Sequence, residues 1–451
     1  MFEQPDLDLL NSISQRKDDI LSIDEATWRL RSWAISVEKG DKNRKQFQKF
    51  VSQRCSHNII WELSDEDGKL VSTDTKLKKM YFKHFKARYC FLNSENIDLQ
   101  LEVLKIVRRF FNDEDNMEIE KPVLISELQD IVNKMPKEKS PGPDGWTREL
   151  FHNFSDIMGE DLLDVVEESR NTGFIPGVLN STFYVVIPKI SKGEHFSDFR
   201  PIALCNFAYK VISKIIASRI KDKLAKCISI EWFGFLKDRL IFDAVGTTQE
   251  CLHTANTMKQ NSIFLKLDLK EAYDNVTQKF LILLLDQIRL NLCVSQWIMG
   301  CITSVNMTVL VIGVPTNFFK CHRGLRQGCA LSPLLFLWVV EVFSRLLTQT
   351  VESVTFQGLK VPIRTFFSHL IFVDEVLILG YVKIEYWLTL NSTLSKFYSA
   401  TGNIINYHKS VFLVQNIDPS FQHNLNAVFD INIEILGQGM KYLGFFLKLN
   451  N

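Results

Sequence analysis

The amino-acid sequence predicts an α+β or mixed α/β core that follows a mainly helical N-terminal extension. Residues 1–111 are rich in charge and contain few turn signals, which is typical of a helical segment. Further along, apolar runs of strand length alternate irregularly with helix-length segments, and this excludes an all-helical core. The strand-like runs are residues 183–187, 263–269, 307–314 and 370–379.

The chain is long and apolar enough to form more than one compact core. Its 451 residues exceed what one core usually holds, so we expect two or three subdomains. A hydrophobic fraction of 46% and 34 phenylalanines indicate thick apolar cores rather than disorder. The formal net charge of +1 argues mildly against a nucleic-acid-binding protein, unless the charges are segregated along the chain.

The sequence favours an intracellular protein that is not secreted and has no membrane segment. Residues 1–25 are acidic and lack the apolar stretch of a secretory signal. The longest apolar stretch, residues 331–347, is interrupted by Glu341 and Arg345 and is too short to span a bilayer. The nine cysteines form no CxxC pair, so we expect neither a disulfide framework nor a zinc ribbon.

Residues 76–91 interleave six Lys or Arg residues with aromatic side chains. Such a mixture can hold a nucleic-acid backbone and stack on bases. The alternative is an amphipathic helix whose lysines extend to solvent beside a buried face. Two later segments are predicted connections. They are the acidic run 113–120 and the loop 139–145, whose two prolines and two glycines must follow one fixed backbone path.

Residues 262–269 alternate with period two and present Asp268 at the end of a predicted strand. Phe264 and Lys266 share the face of Asp268, and the opposite face is aliphatic and predicted to be buried. A carboxylate at such an open edge is accessible to a metal or a substrate. An Asp at a strand end is also a common turn or cap residue, and both interpretations stay open.

Residues 368–379 form two apolar strands around the pair Asp374 and Glu375. Adjacent acids at a hairpin tip repel each other unless cations intervene. Two divalent metal ions, held by Asp268, Asp374 and Glu375, would relieve this repulsion and could activate an attacking hydroxyl. The alternative is a solvated turn whose acids point outward.

Residues 323–328 (RGLRQG) stand between the two acidic strands. Their two glycines allow the backbone to approach a ligand closely. Ser332 and Pro333 then form a good N-cap and first-turn pair for a helix that runs through Leu347.

An ordered set of motifs resembles the reverse transcriptases of plant LINE-type (non-LTR) elements, and residues 40–69 resemble the linker that such elements place before this domain. In chain order, the motifs are SPGPDG at 140–145, IPK at 187–189, FRPIAL at 199–204, KLDL at 266–269, AYD at 272–274, GLRQG at 324–328, LSP at 331–333, FVDE at 372–375, Asn406 with Lys409 and Ser410, and YLG at 442–444.

The resemblance implies a right-hand polymerase fold that is truncated at its C-terminal end. Residues 1–111 would be the helical extension, 112–260 the fingers, 261–390 the palm with its acidic strands, and 391–451 the end of the palm and the start of an incomplete thumb. No stretch resembles the endonuclease or RNase H segments of such elements. The resemblance favours the nucleus over the cytoplasm, although the sequence shows no clear nuclear signal.

The resemblance also implies an RNA-directed DNA polymerase that uses an RNA template, a DNA primer and dNTPs. Asp268, Asp374 and Glu375 would be catalytic and would ligate two Mg²⁺ ions, with Mn²⁺ as a substitute. For Lys409, the alternative is a plain surface lysine. The other implied roles are triphosphate binding by Lys189 and Arg200, exclusion of a ribose 2′-hydroxyl by Tyr273, nucleotide and template contact by Gln327 and Gly328, protonation of pyrophosphate by Lys409, and primer holding by Tyr442, Leu443 and Gly444.

Several positions depart from the family pattern. Val373 and Glu375 replace Ala and Asp at the acidic turn, Glu271 replaces a usual Lys, and Asp238 replaces a usual Gly. Cys329 and Ala330 stand in place of Asp-Pro. The extra methylene of Glu moves a carboxylate by about 1.5 Å, and such a displacement in a positioned site can cost about a hundredfold in rate. The alternative function is therefore an inactive remnant that keeps the fold and RNA binding, or a structural or interaction protein.

Overall fold

Two five-stranded sheets, three two-stranded strand pairs and the helices packed on them make up the part of the chain that the structure describes. This computed structural model describes residues 15–16, 60, 62–65, 68–90, 96–190, 193–224, 227–236, 238–361, 364–415 and 417–448. The predictions on the acidic residues 1–25 and on most of the linker at 40–69 lie outside the described residues, and so does Phe91.

Among its described residues, the N-terminal part is helical except for one short hairpin, which the prediction of a helical extension did not include. In this hairpin, β1 (Leu63–Ser64) and β2 (Leu70–Val71) pair antiparallel. The helices that follow are α1 (Asp74–Cys90), α2 (Ile97–Leu104), α3 (Asp113–Glu120), α4 (Ile125–Asn133), α5 (Arg148–Asn153) and α6 (Ser155–Thr172).

The acidic run that was predicted to be a linker is helix α3, so this prediction is wrong. Asn112 caps the helix by accepting the backbone N–H of Asp115 at 2.7 Å. Asp113 and Glu114 then lie in the first turn, where the helix dipole favours negative charge. Lys223 pairs with Asp115 at 2.8 Å and ties α3 to the rest of the domain. The acidic residues therefore begin a helix.

The first sheet is centred on β3, which pairs antiparallel with β4 and parallel with β6. The predicted strand at 307–314 is divided between β6 and β7, because Ile312 and Gly313 turn the chain with φ values of +52° and +74°. The strands of this sheet are β3 (Ser181–Pro188), β4 (Phe199–Cys205), β6 (Asn306–Val311), β7 (Val314–Pro315) and β8 (Phe319–Lys320).

The second sheet has the order β11-β12-β5-β13-β14, with β5 (Ser262–Asp268) at its centre. The predicted hairpin around the acidic pair is confirmed, because β11 and β12 pair antiparallel on either side of it. The other strands of this sheet are β11 (His369–Phe372), β12 (Glu375–Tyr381), β13 (Val411–Val414) and β14 (Asn432–Ile435).

Both faces of β5 are covered, which corrects the prediction of one open face. Leu265 and Leu267 belong to the main core, whereas Phe264 is buried in a second core on the other side. Asp268 itself is only 9% exposed. The two faces of β5 that the period-two pattern distinguishes therefore pack into two different apolar cores, and neither face is open to solvent.

Helix α12 (Ser332–Glu352) is the central helix of the main core. Within the described residues, it is the one helix that is long and apolar enough for a membrane span, and 72% of its most apolar window is buried inside the protein. Such burial is typical of a core helix. The predicted N-cap is displaced by one residue, because Leu331 occupies the cap and Ser332 begins the helix.

The remaining elements complete the two cores. They are α7 (Phe207–Leu224), α8 (Ile241–Thr257), α9 (Ala272–Asn275), α10 (Gln278–Gln287), α11 (Leu292–Thr303), α13 (Ile384–Thr401) and α14 (Pro419–Phe429), with the strand pairs β9 (Leu359–Val361) and β10 (Arg364–Phe367), and β15 (Met440–Tyr442) and β16 (Phe445–Leu447).

Candidate active site

Asp268 ends the central strand and is held by the loop between α13 and β13. Asn406 donates its side-chain N–H to Asp268 Oδ1 at 2.9 Å, and Ser410 Oγ accepts the backbone N–H of Asp268 at 3.1 Å. Lys409 Nζ lies 3.8 Å from Asp268 Oδ2. The carboxylate is thus fixed in orientation by residues that lie far from it in the sequence.

The hairpin brings Asp374 and Glu375 to the same end of the second sheet. Glu375 begins β12 and lies directly opposite Asp268 in the antiparallel register. The backbone carbonyl of Asp374 accepts the N–H of Leu269 at 3.0 Å. All three predicted carboxylates therefore meet at one sheet edge, with Asp374 exposed and Glu375 partly buried.

The charges at this edge repel one another. The pKa of Asp374 is raised, first because surrounding protein atoms displace water from it, and further because Asp268 and Glu375 add negative charge nearby. A hard cation would offset this repulsion. Oxygen donors of this kind fit Mg²⁺, although no three Asp, Glu, His or Cys side chains in the described residues are arranged as a ready metal cage.

Glu375 lies beside a lysine of the neighbouring strand. Its Oε2 atom lies 3.7 Å from Lys266 Nζ, and Lys266 also donates to the carbonyl of Lys441 at 3.2 Å. The negative charge of Glu375 adds to the effect of burial in raising the pKa of Tyr442. The Glu375 side chain thus lies on the face of the second sheet that is turned towards β15 and β16.

Lys189 and Arg200 lie at the end of the first sheet that faces the carboxylates. Lys189 follows β3 and donates to the carbonyl of Ser197 at 2.7 Å, and Arg200 is exposed on β4. The pKa of Lys189 is lowered, first by burial and then by the positive charge of Lys409, whereas Glu271 opposes this shift. Cations from both sheets therefore face one space.

Tyr273 is half-buried and stacks on Phe336, with ring centroids 4.6 Å apart. Its backbone carbonyl accepts the N–H of Leu325 at 2.7 Å. The pKa of Tyr273 is raised by burial and by the negative charge of Asp374. Its ring is therefore rigidly placed beside the acidic edge.

Gln327 and Gly328 extend the edge of the first sheet. The carbonyl of Gln327 accepts the N–H of Ala203 at 2.9 Å. Gly328 has a φ of +105°, and a Cβ atom there would lie 3.1 Å from the carbonyl oxygen of Ala203. The backbone conformation and the close approach both favour glycine at this position.

A profile of the reverse transcriptase (RNA-dependent DNA polymerase) family matches residues 187–447. The chain belongs to the reverse transcriptase family. This family consists of RNA-directed DNA polymerases, which are nucleotidyltransferases that use divalent metal ions, and the core of helices and sheets described above is its α+β domain.

The chain is similar to proteins of non-LTR retrotransposons. It is 28% identical over 338 residues to the transposon TX1 uncharacterized 149 kDa protein of Xenopus laevis, a match that covers 73% of this chain and 25% of that protein. It is 25% identical to the Pol polyprotein of a type-1 R2 element of Popillia japonica, over 64% of this chain and 39% of that protein. It is 23% identical to the RNA-directed DNA polymerase from mobile element jockey of Drosophila melanogaster, over 48% of this chain and 24% of that protein. The chain thus spans well under half of the length of each of these three relatives.

The YLG segment of this reverse transcriptase domain forms a tight turn. Tyr442 is buried in β15, and Leu443 and Gly444 follow with φ values of +50° and +86° before β16 begins. The turn lies on the side of the second sheet where Lys266 contacts Lys441. It is therefore adjacent to Glu375.

The SPGPDG loop acts as a cap for helix α7. Asp144 Oδ2 accepts the N–H of Phe207 at 2.7 Å, and Lys210 Nζ donates to the carbonyl of Ser140 at 3.0 Å. A Cβ atom at Gly142 would lie 2.4 Å from the backbone of Cys205, so only glycine fits there. The predicted fixed backbone path is confirmed by these contacts.

The aromatic residues of α1 are core residues. Tyr81, Phe85 and Tyr89 are buried, so they cannot stack on bases. Lys76 and Lys79 are exposed on the other face of the helix. The amphipathic interpretation of this segment is therefore confirmed for its aromatic residues.

Sequence reasoning missed Arg326, which is buried inside the RGLRQG motif. Its guanidinium donates to Asn180 Oδ1 at 2.6 Å, to Thr182 Oγ1 at 3.0 Å and to the carbonyl of Cys301 at 2.6 Å. It also stacks 3.6 Å from the ring centre of Tyr209. An Arg with this many buried partners fixes the motif to the first sheet, and an Arg between two glycines was the available signal.

Three of the departures from the family pattern lie at positive φ. Asp238, Glu271 and Val373 have φ values of +64°, +50° and +57°. Left-handed backbone costs about 1–2 kcal/mol for residues with a side chain, and a β-branched residue such as Val is especially unfavourable there. The Gly that is usual at position 238 would be free of this cost.

Proposed function

We propose that this chain is the RNA-directed DNA polymerase domain of a plant LINE-type retrotransposon. The observation that carries the proposal is the meeting of Asp268 and Asp374 at one sheet edge, between Tyr273 and a group of cations that face each other across the two sheets. An RNA template, a DNA primer and dNTPs would be its substrates.

Asp268, Asp374 and Glu375 would hold two Mg²⁺ ions, or Mn²⁺ in their place. When bound, the ions would activate the primer 3′-hydroxyl and stabilise the leaving pyrophosphate. Asp268 is the best-oriented donor because Asn406 fixes one of its oxygens. The raised pKa of Asp374 supports a cation at the turn, since the negative charges of Asp268 and Glu375 outweigh there the positive charge of Lys409.

The cations and the aromatic ring would orient the nucleotide. Lys189 and Arg200 would neutralise the triphosphate, and charge-assisted hydrogen bonds to phosphate are strong. Lys409 would donate a proton to pyrophosphate, and its contact with Asp268 supports a place at the site rather than on a remote surface. Tyr273, held against Phe336, would exclude a ribose 2′-hydroxyl.

The backbone segments would position the nucleic acid. Gln327 and Gly328 would contact the nucleotide and template, because they form an open edge of the first sheet. Tyr442, Leu443 and Gly444 would hold the primer. Residues 112–260 would be the fingers, 261–390 the palm, and 391–451 the end of the palm and the start of the thumb.

The second candidate function is an inactive remnant that keeps the fold. It is favoured by Glu375, whose carboxylate lies beside Lys266. Val373, a β-branched residue at positive φ beside the acidic turn, favours it further. Such a chain would bind RNA without synthesis.

Primer extension on an RNA template with Mg²⁺ or Mn²⁺ separates the two functions. The three proteins to compare are the native chain, Glu375→Asp and Asp268→Ala. Extension by the native chain and not by Asp268→Ala supports the polymerase. Activity in Glu375→Asp alone means an intact scaffold that is disabled at its metal site. If none of the folded proteins extends the primer, the result supports the inactive remnant.

A further inference from the structure

Helix α1 lies before the segment that matches the reverse transcriptase family, yet it is docked onto that segment. The carbonyl of Tyr89 accepts the N–H of His322 at 2.9 Å, and Cys90 Sγ donates to the carbonyl of Lys320 at 2.9 Å. The ring of Tyr89 also packs 5.6 Å from the ring of Tyr184 in β3. The C-terminal end of α1 is therefore fixed at the junction of the first sheet and the candidate site.

This docking places Arg88 against the turn that carries Tyr273. The Arg88 side chain is only 11% exposed, and its Nη2 atom donates to Asp274 Oδ2 at 2.8 Å. The same nitrogen forms an ion pair with Glu271. One guanidinium thus holds the two acids that flank Tyr273, one on each side.

The turn needs such support because of its conformation and burial. Glu271 adopts a φ of +50°, which a residue with a side chain rarely adopts. Asp274 is completely buried, and without Arg88 its charge would lose its nearest cation. On the other side of the turn, the backbone of Gly324 packs directly against Asp274. A Cβ atom at position 324 would lie 2.9 Å from the carbonyl oxygen of Asp274.

Arg88 also controls the charge balance around Lys189. Glu271 is close enough to Lys189 for its negative charge to raise the pKa of that lysine. Because Arg88 forms an ion pair with Glu271, the negative charge of Glu271 is partly neutralised near Lys189. Removal of Arg88 would leave this charge uncompensated, and it would repel an incoming anion.

We propose that Arg88 is a positioning residue that fixes the Tyr273 ring and neutralises Glu271 near Lys189. This inference rests on the proposed polymerase function, and it makes α1 part of the nucleotide-selecting site. Two separable effects follow from its loss. The displaced Tyr273 weakens discrimination against ribonucleotides, and the uncompensated charge of Glu271 weakens dNTP binding.

The test compares the full chain with Arg88→Met and with the double variant Arg88→Met/Glu271→Gln. Single-nucleotide extension gives KM and kcat for a dNTP and for the matching NTP. We expect Arg88→Met to raise the KM for the dNTP roughly tenfold or more and to reduce discrimination against the NTP. The double variant recovers the KM, because the uncompensated charge of Glu271 is removed, but it does not recover the discrimination.

The matched control is Arg170→Met, which breaks another partly buried Arg–Glu pair, with Glu167 at 2.6 Å on α6. It should leave both KM and discrimination unchanged. Arg88→Lys keeps the buried positive charge, and therefore the fold, but it cannot bond both acids with the same geometry. It should show the loss of discrimination in weaker form. Native KM and native discrimination in both Arg88→Met and Arg88→Lys would overturn the inference.

Amide hydrogen exchange keeps this test separate from the fate of the proposed function. The N–H of Asp274 donates to the carbonyl of Glu271 at 2.9 Å, so it reports the closure of the turn. We expect its exchange to accelerate in Arg88→Met and to stay native in Arg170→Met. If no variant extends a primer, the polymerase proposal fails. The amide exchange rate is then the only test of the positioning role. An unchanged rate at the N–H of Asp274 in folded Arg88→Met would contradict that role.

Discussion

Asp274 is a buried carboxyl group whose ionisation affects the stability of the whole turn. Burial raises its pKa from 3.8 to about 6, and the charge of Glu271 acts in the same direction, whereas Arg88 and Arg323 oppose the shift. Because the folded state binds the proton more tightly than the unfolded state, this group favours folding most below pH 3.8. That contribution is lost as the pH rises through about 6.

Replacement of Asp274 by Asn should remove this pH dependence. Between about pH 4 and pH 6, the free energy of unfolding of the native chain should fall relative to that of Asp274→Asn, by at most about 3 kcal/mol. His84, whose pKa is lowered to about 4, titrates in both proteins, so it cancels in the difference. Urea unfolding at several pH values measures this difference, and parallel pH profiles for the two proteins would contradict the assignment.

At this scale the sequence predicted that the acidic residues lie together, and it missed the buried arginines. Asp268 and the Asp374 turn could be placed together because a strand end and a hairpin tip are local patterns. Arg88 and Asp274 are 186 residues apart, and no local pattern indicates such a pair. Arg326 is likewise held by residues of other elements, so its burial is a property of the fold.

Among the elements, α1 joins a buried aromatic face to an exposed basic face. Lys69, Lys76, Lys79 and Lys83 line an open groove between α1 and the β1–β2 hairpin, together with Asp65. Exposed lysines at helical spacing are suited to the phosphates of a nucleic-acid backbone, which they can contact without stacking. The formal net charge of +1 conceals this segregation.

Reversal of charge on this face should weaken RNA binding without unfolding the chain. We expect Lys76→Glu/Lys79→Glu to bind a single-stranded RNA at least tenfold more weakly at low salt and to reduce the salt dependence of the affinity. The control is Lys134→Glu/Lys137→Glu, which reverses two exposed lysines outside the groove. Fluorescence anisotropy across a salt series measures both effects. Equal losses of RNA affinity in the two variants would indicate a general charge effect and would contradict RNA binding in the groove.

The prediction of strands was better than the prediction of connections. The four strand-like runs all contain strands of the two sheets, because apolar alternation reports burial directly. The acidic run 113–120 was misassigned because charge alone does not distinguish a linker from the first turns of a helix. The capping pair Asn112 and Asp115 was the signal that identifies it.

For the whole molecule, the predicted α+β class and the membership of the reverse transcriptase family agree with the fold and with the match over residues 187–447. The boundaries of fingers, palm and thumb stay predictions. The departures at Val373, Glu375 and Glu271 concentrate around one site, which makes its chemistry the decisive property of the chain.

The most direct measurement is the rate at which the purified chain adds the first dNTP to a DNA primer on an RNA template, as a function of Mg²⁺ concentration. The account predicts addition that requires the metal, stops on chelation and is absent in Asp268→Asn. Asp130→Asn, which changes an exposed carboxylate on α4, should keep the native rate. Metal-dependent addition that persists unchanged in Asp268→Asn would contradict the assignment of the site, and no addition by a folded, RNA-binding native chain would contradict the polymerase itself.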